Sequence, residues 1–309
     1  MEIEQQLTKV APPRETLLTI GVFDGVHSGH RHLLRRLRER AGEENLLSAV
    51  VTFTPHPQSV LYPHEQVPWL SGLDDRVKAI QELGIDIVSV VTFTPELARL
   101  SAKEFISLVK KQLRMRGIMV GPDFALGRGR EGSVELLRLL GREMGFSVEV
   151  VPAYRINGEV VSSTLIRRAL AEGDMGKVKR LMGRYFCLGG KVVTSDKRGR
   201  LLGFPTANLD INPQQALPGN GVYGTITQVD GRQFSSATNI GVRPTFGGTR
   251  KTVETHLLNY GGDLYDKEIM VEFVQKLRDE RHFSSPEELQ AQIKRDIQQA
   301  KVILAEELR

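Results

Sequence analysis

LLTIGVFDGVHSGHRHLLRRLRERA, residues 17–41, decides the fold of the first half of the chain. It opens as an apolar run, Leu17–Phe23, of the kind expected for a strand buried on both faces. It passes through Gly21, Gly25 and Gly29 and continues as a helix over His32–Ala41, with Leu33, Leu34, Leu37 and Ala41 on one side. Glycines at such a junction let the backbone approach a ligand closely. The helix N-terminus beyond them offers free N–H groups and a partial positive charge, which suits a phosphate. His27 and His30 flank Gly29, so both imidazoles can face a phosphate as its equatorial oxygens gain charge.

Further along, the pattern continues. Leu46–Phe53, Ile85–Phe93, Gly117–Gly121 and Phe146–Val151 are short runs rich in Val and Ile, read as buried strands. Helical spacing occupies Ser101–Met115, with a capping box of Ser101 and Glu104, and then Ser133–Met144 and Thr164–Ala171. Strand and helix in alternation imply a parallel sheet covered by helices, an α/β fold. Val51-Thr52-Phe53-Thr54-Pro55 is echoed by Val91-Thr92-Phe93-Thr94-Pro95. Both read as strand ends on the sheet edge where open α/β folds bind ligands. Thr54-Pro55-His56-Pro57 and Gly121-Pro122-Asp123-Phe124 follow two of the strands. Ser162-Ser163-Thr164-Leu165-Ile166-Arg167 is a helix start whose hydroxyls and arginine suit a polyphosphate, although alone it is an ordinary N-cap. Gly127–Gly132 matches G-x-G-x-x-G, but residues 123–126 separate it from the strand, so it lacks the tight turn of a dinucleotide fingerprint. No G-x-x-x-x-G-K-[ST] sequence occurs.

Near Gly183 the character changes. Phe186–Val193, Gly221–Val229, Phe234–Ile240, Thr252–Leu258 and Glu268–Val274 are extended runs parted by Gly, Pro, Asn and Asp turns, the signature of a small antiparallel barrel or sandwich. A helix closes the chain: Ser285 as cap, Pro286 first, Glu288 completing a capping box, and Leu289, Ile293, Ile297 and Ala300 as its stripe. Two domains are expected, 1–183 and 184–309. In Gly199–Asn208, Gly203 ends a glycine-rich turn, and an extended backbone points Thr206 and Asn208 to one side. Their neutral oxygens suit Mg²⁺ when substrate phosphates complete its shell, although the stretch alone reads equally well as an ordinary loop. Glu254 shares one strand face with His256, opposite Val253, Thr255 and Leu257; strand patterning alone leaves it equally well a solvent-facing carboxylate.

Composition narrows the class. The chain has 309 residues, 40% hydrophobic and 26% charged, with a net charge of +5. That is the profile of a globular protein, and no apolar run of about 18 residues is present. The single cysteine, Cys187, forms no internal disulfide and no cysteine-based zinc site. With no apolar signal core at the N-terminus, a cytoplasmic protein is expected. The positive excess is spread over both halves; its only concentration, Arg31–Arg40, reads as a solvated helix face, so no nucleic-acid partner and no membrane partner are expected.

On these motifs the chain resembles the bacterial bifunctional riboflavin kinase/FAD synthetases. His-x-Gly-His at 27–30 and Ser-Ser-Thr-x-Ile-Arg at 162–167 resemble their adenylyltransferase module, of a Rossmann-like nucleotidyltransferase fold. Gly-Phe-Pro-Thr-Ala-Asn at 203–208, Gly-Val-Tyr-Gly at 221–224, Asn-Ile-Gly-Val-Arg-Pro-Thr-Phe at 239–246 and Glu-Thr-His at 254–256 resemble their kinase module, a Greek-key barrel with a C-terminal helix. The resemblance implies phosphorylation of riboflavin to FMN and adenylylation of FMN to FAD, both from ATP, with Mg²⁺. His27 and His30 would stabilise the α-phosphate. Gly21, Phe23, Asp24, Gly25, Gly29, Ser163, Thr164 and Arg167 would hold the nucleotide, and Phe53, Pro55, His56, Pro57 and Asp123 the flavin. At the barrel, Glu254 would be the general base, Gly203, Thr206 and Asn208 would bind ATP, Thr206 and Asn208 also Mg²⁺, and Arg278 and Phe283 would lie at the flavin. Ala125 stands where a bulkier or polar residue is expected. The alternatives are a nucleotidyltransferase for another substrate carrying a flavin-binding barrel, and a regulator on an inactive enzyme scaffold.

Overall fold

The computed structural model describes residues 2–65, 67–194, 203–245, 248–305 and 307. Residues 199–202 of the glycine-rich turn and Phe246 of the kinase-like motif lie outside the described residues. Contacts part the chain into two compact units, Met1–Ser163 and Thr164–Arg309.

In the first unit, strands β1 (Thr16–Ile20), β2 (Leu47–Thr54), β3 (Ile87–Thr92), β4 (Met115–Val120) and β5 (Ser147–Val150) form a parallel sheet in the order β3-β2-β1-β4-β5. Strand direction of growth reverses between β1 and β4, and the carboxyl ends there are Gly21 and Gly121. Open α/β sheets bind ligands at such a reversal. Helices α1 (Glu2–Thr8), α2 (Ser28–Glu43), α3 (Pro57–Leu61), α4 (Leu73–Gln81), α5 (Pro95–Ala98), α6 (Ala102–Gln112) and α7 (Val134–Met144) cover the sheet. The period-two geometry of a strand sends alternate residues to opposite faces. Leu18, Ile20, Val51 and Ile118 pack with Leu7, Phe105 and Leu137 in one core, whereas Leu17, Val50 and Met119 pack with Leu34, Leu37 and Ile80 in another. Burial on both faces is why these strands read as unbroken apolar runs.

Three element ends differ from the sequence expectation for local reasons. β1 stops at Ile20 because Phe23 adopts a left-handed φ of 54° and Gly25 one of 78°. α2 begins at Ser28 instead of His32, because the His27 side chain caps it by accepting the His30 N–H at 3.3 Å. α6 stops at Gln112, since Arg114 turns to a φ of 48° and Met115 opens β4. The Ser101–Glu104 capping box forms as expected. Two arginines of the expected basic concentration on α2 pair with nearby acids on an exposed face: Arg36 with Glu39, and Arg40 with Glu43 and Glu44. A short hairpin, β6 (Arg155–Ile156) and β7 (Glu159–Val160), precedes α8 (Ser163–Glu172).

The second unit holds a closed antiparallel barrel of β8 (Phe186–Val193), β9 (Ala207–Asp210), β10 (Gly221–Val229), β11 (Arg232–Thr245), β12 (Gly248–Leu257) and β13 (Glu268–Arg278), in the order β10-β11-β12-β9-β8-β13. α9 (Met175–Met182) packs on β8 and β13, and the Gly219 N–H donates to Leu170 O at the end of α8. Those ties fasten both helices to the barrel's unit, although the change of sequence character falls later, near Gly183. The terminal helix, α10 (Pro286–Leu304), lays Ala300 and Leu304 against Ile226, Val274 and Leu277. Its buried stripe is Asp296, Ala300 and Leu304, while Leu289, Ile293 and Ile297 are half-buried. The turn of the stripe follows from Arg278, whose guanidinium clasps Asp296 with three contacts of 2.9–3.0 Å. Ser285 caps the helix as expected, but the Glu288 carboxylate accepts from Ser284 instead of Ser285. Among the described residues no helix is long and apolar enough to cross a membrane.

Inside the barrel, a chain of hydroxyls replaces part of the apolar filling. Thr225 Oγ1 lies 2.8 Å from Ser236 Oγ and 2.7 Å from Thr238 Oγ1, Thr227 Oγ1 lies 2.7 Å from Ser236 Oγ, and Thr238 donates to Thr255 at 2.8 Å. All five residues are fully buried. A buried network of this kind is sound only when each member is satisfied. Thr225→Val keeps the volume but removes one contact each from Ser236 and Thr238, which keep their other partners; urea unfolding should show a loss of about 1 kcal/mol.

Candidate active sites

The turn after β1 is built around Asp24. Its carboxylate is 3% exposed and accepts the Leu70 N–H at 3.0 and 3.1 Å and the Ser71 N–H at 3.2 Å. The Asp24 carbonyl accepts the Ser163 hydroxyl at 3.1 Å, and the Gly25 N–H donates to Ser71 Oγ at 3.1 Å. These bonds hold a backbone that turns through positive φ at Phe23, Gly25 and Val26. Asp24 therefore organises the loop with its carboxylate turned to main chain.

His27 and His30 emerge from this turn stacked, ring centroids 3.6 Å apart, and Phe23 meets His30 edge-on at 5.2 Å. His27 is 4% exposed, and the His30 Nδ1 is buried. Burial, the neighbouring His27 and the charge of Arg76 hold the His30 pKa well below the usual imidazole value. A neutral imidazole beside the phosphate turn donates an N–H at no cost of deprotonation. Gly29 cannot carry a side chain cheaply, since a Cβ there would lie 3.2 Å from the His27 ring and 3.3 Å from Val161 O.

Two cavities meet at His30. One, of about 350 Å³, is lined by Gly21, His27, Gly29, Tyr154 and Ser163 among others. The second, of about 920 Å³, is walled by Phe53, Phe93, Phe105, His56, Pro57 and the Asp123–Leu126 loop. Asp123 and His30 border both. A polar turn opening beside a broad aromatic hollow is the pairing needed to bring a phosphate to a flat ring system. Ala125 leaves part of that wall to its neighbours, and Gly127, Gly129 and Arg130 of the G-x-G-x-x-G stretch also line it. Pro55, joined to Thr54 by a cis peptide, is exposed. Thr164 and Arg167 occupy the first turns of α8. Arg76 has no motif in the sequence to mark it. It is 7% exposed and donates to Val22 O at 2.9 Å and Phe53 O at 3.0 Å.

On the barrel, register brings the second set together. Glu254 on β12 is paired with Asn208 on β9 and, on its other side, with Asn239 on β11. Directly opposed residues share a face, so Asn208, Glu254 and Asn239 form one row. Val253, Thr255 and Leu257 are buried on the opposite face. Asn208 is 8% exposed, and Thr206 is half-buried just before β9. The His256 ring pins the arm leading there: its Nδ1 lies 2.7 Å from Pro205 O, and Phe204 meets it edge-on at 5.9 Å. Gly203 adopts a φ of 84°. Arg278 is engaged with Asp296, and its guanidinium lies 5.6 Å from the Phe283 ring. One hydroxyl and one amide oxygen beside a carboxylate suit a hydrated hard cation shared with phosphates. Among the described residues, no group of three His, Cys, Asp or Glu could hold a metal ion alone.

The FAD synthetase family model matches residues 9–165, and the riboflavin kinase family model matches 182–304. The bifunctional riboflavin kinase/FMN adenylyltransferase of Escherichia coli K12 is 40% identical over 288 residues, spanning 93% of this chain and 92% of that protein. The protein of the same name from Pseudomonas fluorescens is 39% identical over 308 residues, spanning 99% and 98%. A solved structure named macrolide-efflux protein, from Streptococcus pneumoniae, superposes with a TM-score of 0.89 at 26% identity over 97% of each chain. That likeness supports the fold and carries no activity across.

The lowered pKa of His30 has a consequence for stability. In the unfolded chain the imidazole titrates near 6.5, and the folded state resists the proton. The unfolded state therefore binds more protons below that pH, so stability is complete above about 6.5 and falls as pH drops toward the folded pKa. Ring ¹⁵N NMR should show His30 neutral at pH 6, where an ordinary histidine is mostly protonated. His30→Gln should flatten the acid side of the stability curve.

Proposed function

The chain belongs to the bifunctional riboflavin kinase/FMN adenylyltransferase family, and from that premise we infer how its residues divide the work. The protein phosphorylates riboflavin to FMN and adenylylates FMN to FAD, each time from ATP. Adenylyl transfer is assigned to residues 1–183 and the kinase to 184–309. The observation that carries this assignment is that each half has its own phosphate-directed constellation: the stacked histidines at the reversal of the sheet, and the Asn208–Glu254 pair on the barrel.

In the first reaction a hydroxyl oxygen of riboflavin attacks the γ-phosphorus of ATP, and ADP leaves. Glu254 takes the hydroxyl proton as general base. Thr206 and Asn208 hold the phosphates and would hold Mg²⁺, which when bound neutralises charge on the phosphate oxygens. The Asn208–Glu254 register fits this reading, since base and phosphate ligand sit on one face. Gly203 shapes the arm, and Arg278 with Phe283 lies toward the flavin; the Asp296 clasp keeps that arginine fixed.

In the second reaction a phosphate oxygen of FMN attacks the α-phosphorus of ATP, and the bond to the departing pyrophosphate breaks. No protein nucleophile takes part, so catalysis is positioning and charge stabilisation. His27 and His30 donate to the α-phosphate oxygens. Ser163, Thr164 and Arg167 hold the β- and γ-phosphates, and Gly21, Phe23, Gly25 and Gly29 with Asp24 shape the nucleotide's seat. Phe53, Pro55, His56, Pro57 and Asp123 form the flavin side. A cytoplasmic setting belongs to this reading, and a lone cysteine is at home in a reducing compartment.

Chromatography of flavins after incubation with riboflavin, ATP and Mg²⁺ tests the division. Wild type should yield FMN and FAD. Glu254→Ala should lower FMN formation by about 10²–10⁴-fold while still converting supplied FMN to FAD. His30→Ala should accumulate FMN. Failure of Glu254→Ala to convert supplied FMN to FAD, or of His30→Ala to make FMN from riboflavin, would contradict two separate sites.

A further inference from the structure

Arg76, on α4, is a cation sunk beneath the adenylyl-transfer cleft without a carboxylate fork to receive it. Its hydrogen bonds go to two main-chain carbonyls, Val22 O and Phe53 O, and its Nε is buried with no partner. Val22 O also accepts the Thr52 hydroxyl at 3.0 Å. Burying a guanidinium on such terms is costly, and desolvation lowers its pKa against the pull of Asp24. An apolar side chain of similar length would fill the space more cheaply, unless the fork has a task.

The two carbonyls say what the task is. Val22 lies in the turn between β1 and the His27–His30 motif; Phe53 lies at the end of β2 and walls the 920 Å³ cavity. Beyond Ile20 the main chain of the turn has left the β1 ladder, save for the Gly21 N–H donating to Val51 O at 3.0 Å. Past that bond, the two segments are joined by side chains. Arg76 also borders a small cavity of about 20 Å³ with His56, Trp69 and Ser71, so the same residue backs both walls.

We propose that Arg76 is a positioning residue for adenylyl transfer: its planar fork fixes the distance between the phosphate turn carrying His27 and His30 and the flavin wall carrying Phe53. The inference rests on assigning adenylyl transfer to the first half of the chain. A rigid fork spanning two acceptors sets a separation that a single-point ammonium does not, and a misplacement of about 1 Å between reacting groups can cost on the order of 10²-fold. The guanidinium charge also acts on His30, whose surroundings include His27 on its own element, Arg76 from α4, His56 after β2, and Asp123 and Arg130 from the loop after β4.

The test uses the full-length protein with Arg76→Lys, Arg76→Gln and Arg76→Met, measuring FAD formation from FMN and ATP across pH, and FMN formation from riboflavin in the same preparations. Kinase activity reports that the second unit is intact, and urea unfolding of each variant reports that the first unit is folded. Arg76→Lys keeps the charge and loses the fork. It should raise the KM for FMN and lower kcat/KM about ten- to a hundredfold, leaving the acid limb of the pH profile in place. Arg76→Gln and Arg76→Met remove the charge, so the His30 pKa rises and the acid limb should move to higher pH. If Arg76→Met loses kinase activity as well, the Lys and Gln variants decide. Wild-type kcat/KM in Arg76→Lys would overturn the proposal. So would a fall in kcat alone with KM and acid limb unmoved in every variant, the mark of a purely structural residue. If wild type itself makes no FAD, the assignment of the first half fails, which is a separate outcome.

Discussion

The carboxylate of Asp24, closed on the Leu70 and Ser71 N–H groups, is the constraint on which the first half of the molecule depends. Phe23 and Val26 stand at positive φ, conformations that cost about 1–3 kcal/mol each when the residue is not glycine. Such a backbone persists only where the surroundings over-determine it. Asp24 supplies two of those ties and its own carbonyl a third, through Ser163. The return is geometric: the chain leaves β1, turns sharply and enters α2 with both imidazoles stacked at the mouth of the cleft.

The barrel solves a different problem by register. An antiparallel ladder fixes which side chains stand opposite each other, and a shift of one residue would move Glu254 to the other face. Asn208 and Asn239 flank it because β9 and β11 are the neighbours of β12. The buried hydroxyls Thr225, Thr227, Ser236, Thr238 and Thr255 secure that register from inside, since each bond demands one pairing. The polar interior thus serves the outward row of Asn208, Glu254 and Asn239.

The two sites use charge in opposite ways. At the sheet, burial holds the His30 pKa down with a buried cation nearby, so the proposed phosphate turn presents a neutral imidazole. Preorganised donors of this kind need no rearrangement as charge develops. At the barrel, Glu254 stands half-buried in a row between two neutral amides, Asn208 and Asn239.

Much of this was legible in residue order. Unbroken Val- and Ile-rich runs gave the parallel sheet, because strands covered on both faces have no polar side; Phe186–Val193 and Gly221–Val229 were bounded correctly by the turn residues beside them. The histidine motif and the Phe-Pro-Thr-Ala-Asn stretch are local, so the family they resemble could be recognised from residue order. Distance along the chain hid the rest. Arg76 looks like any helical arginine until α4 docks under the cleft, and nothing beside Asp24 in the chain foretells the Leu70 and Ser71 N–H groups that its carboxylate accepts. No spacing along the chain pairs Arg278 with Asp296, a contact that also turns the stripe of α10. The sequence by itself determined the element types, the order of sheet and barrel and the motifs that mark the family, since those depend on neighbours in the chain. Tertiary structure alone decided which polar groups are turned to substrate and which are consumed in holding the fold, because that depends on partners brought together only when the cores close.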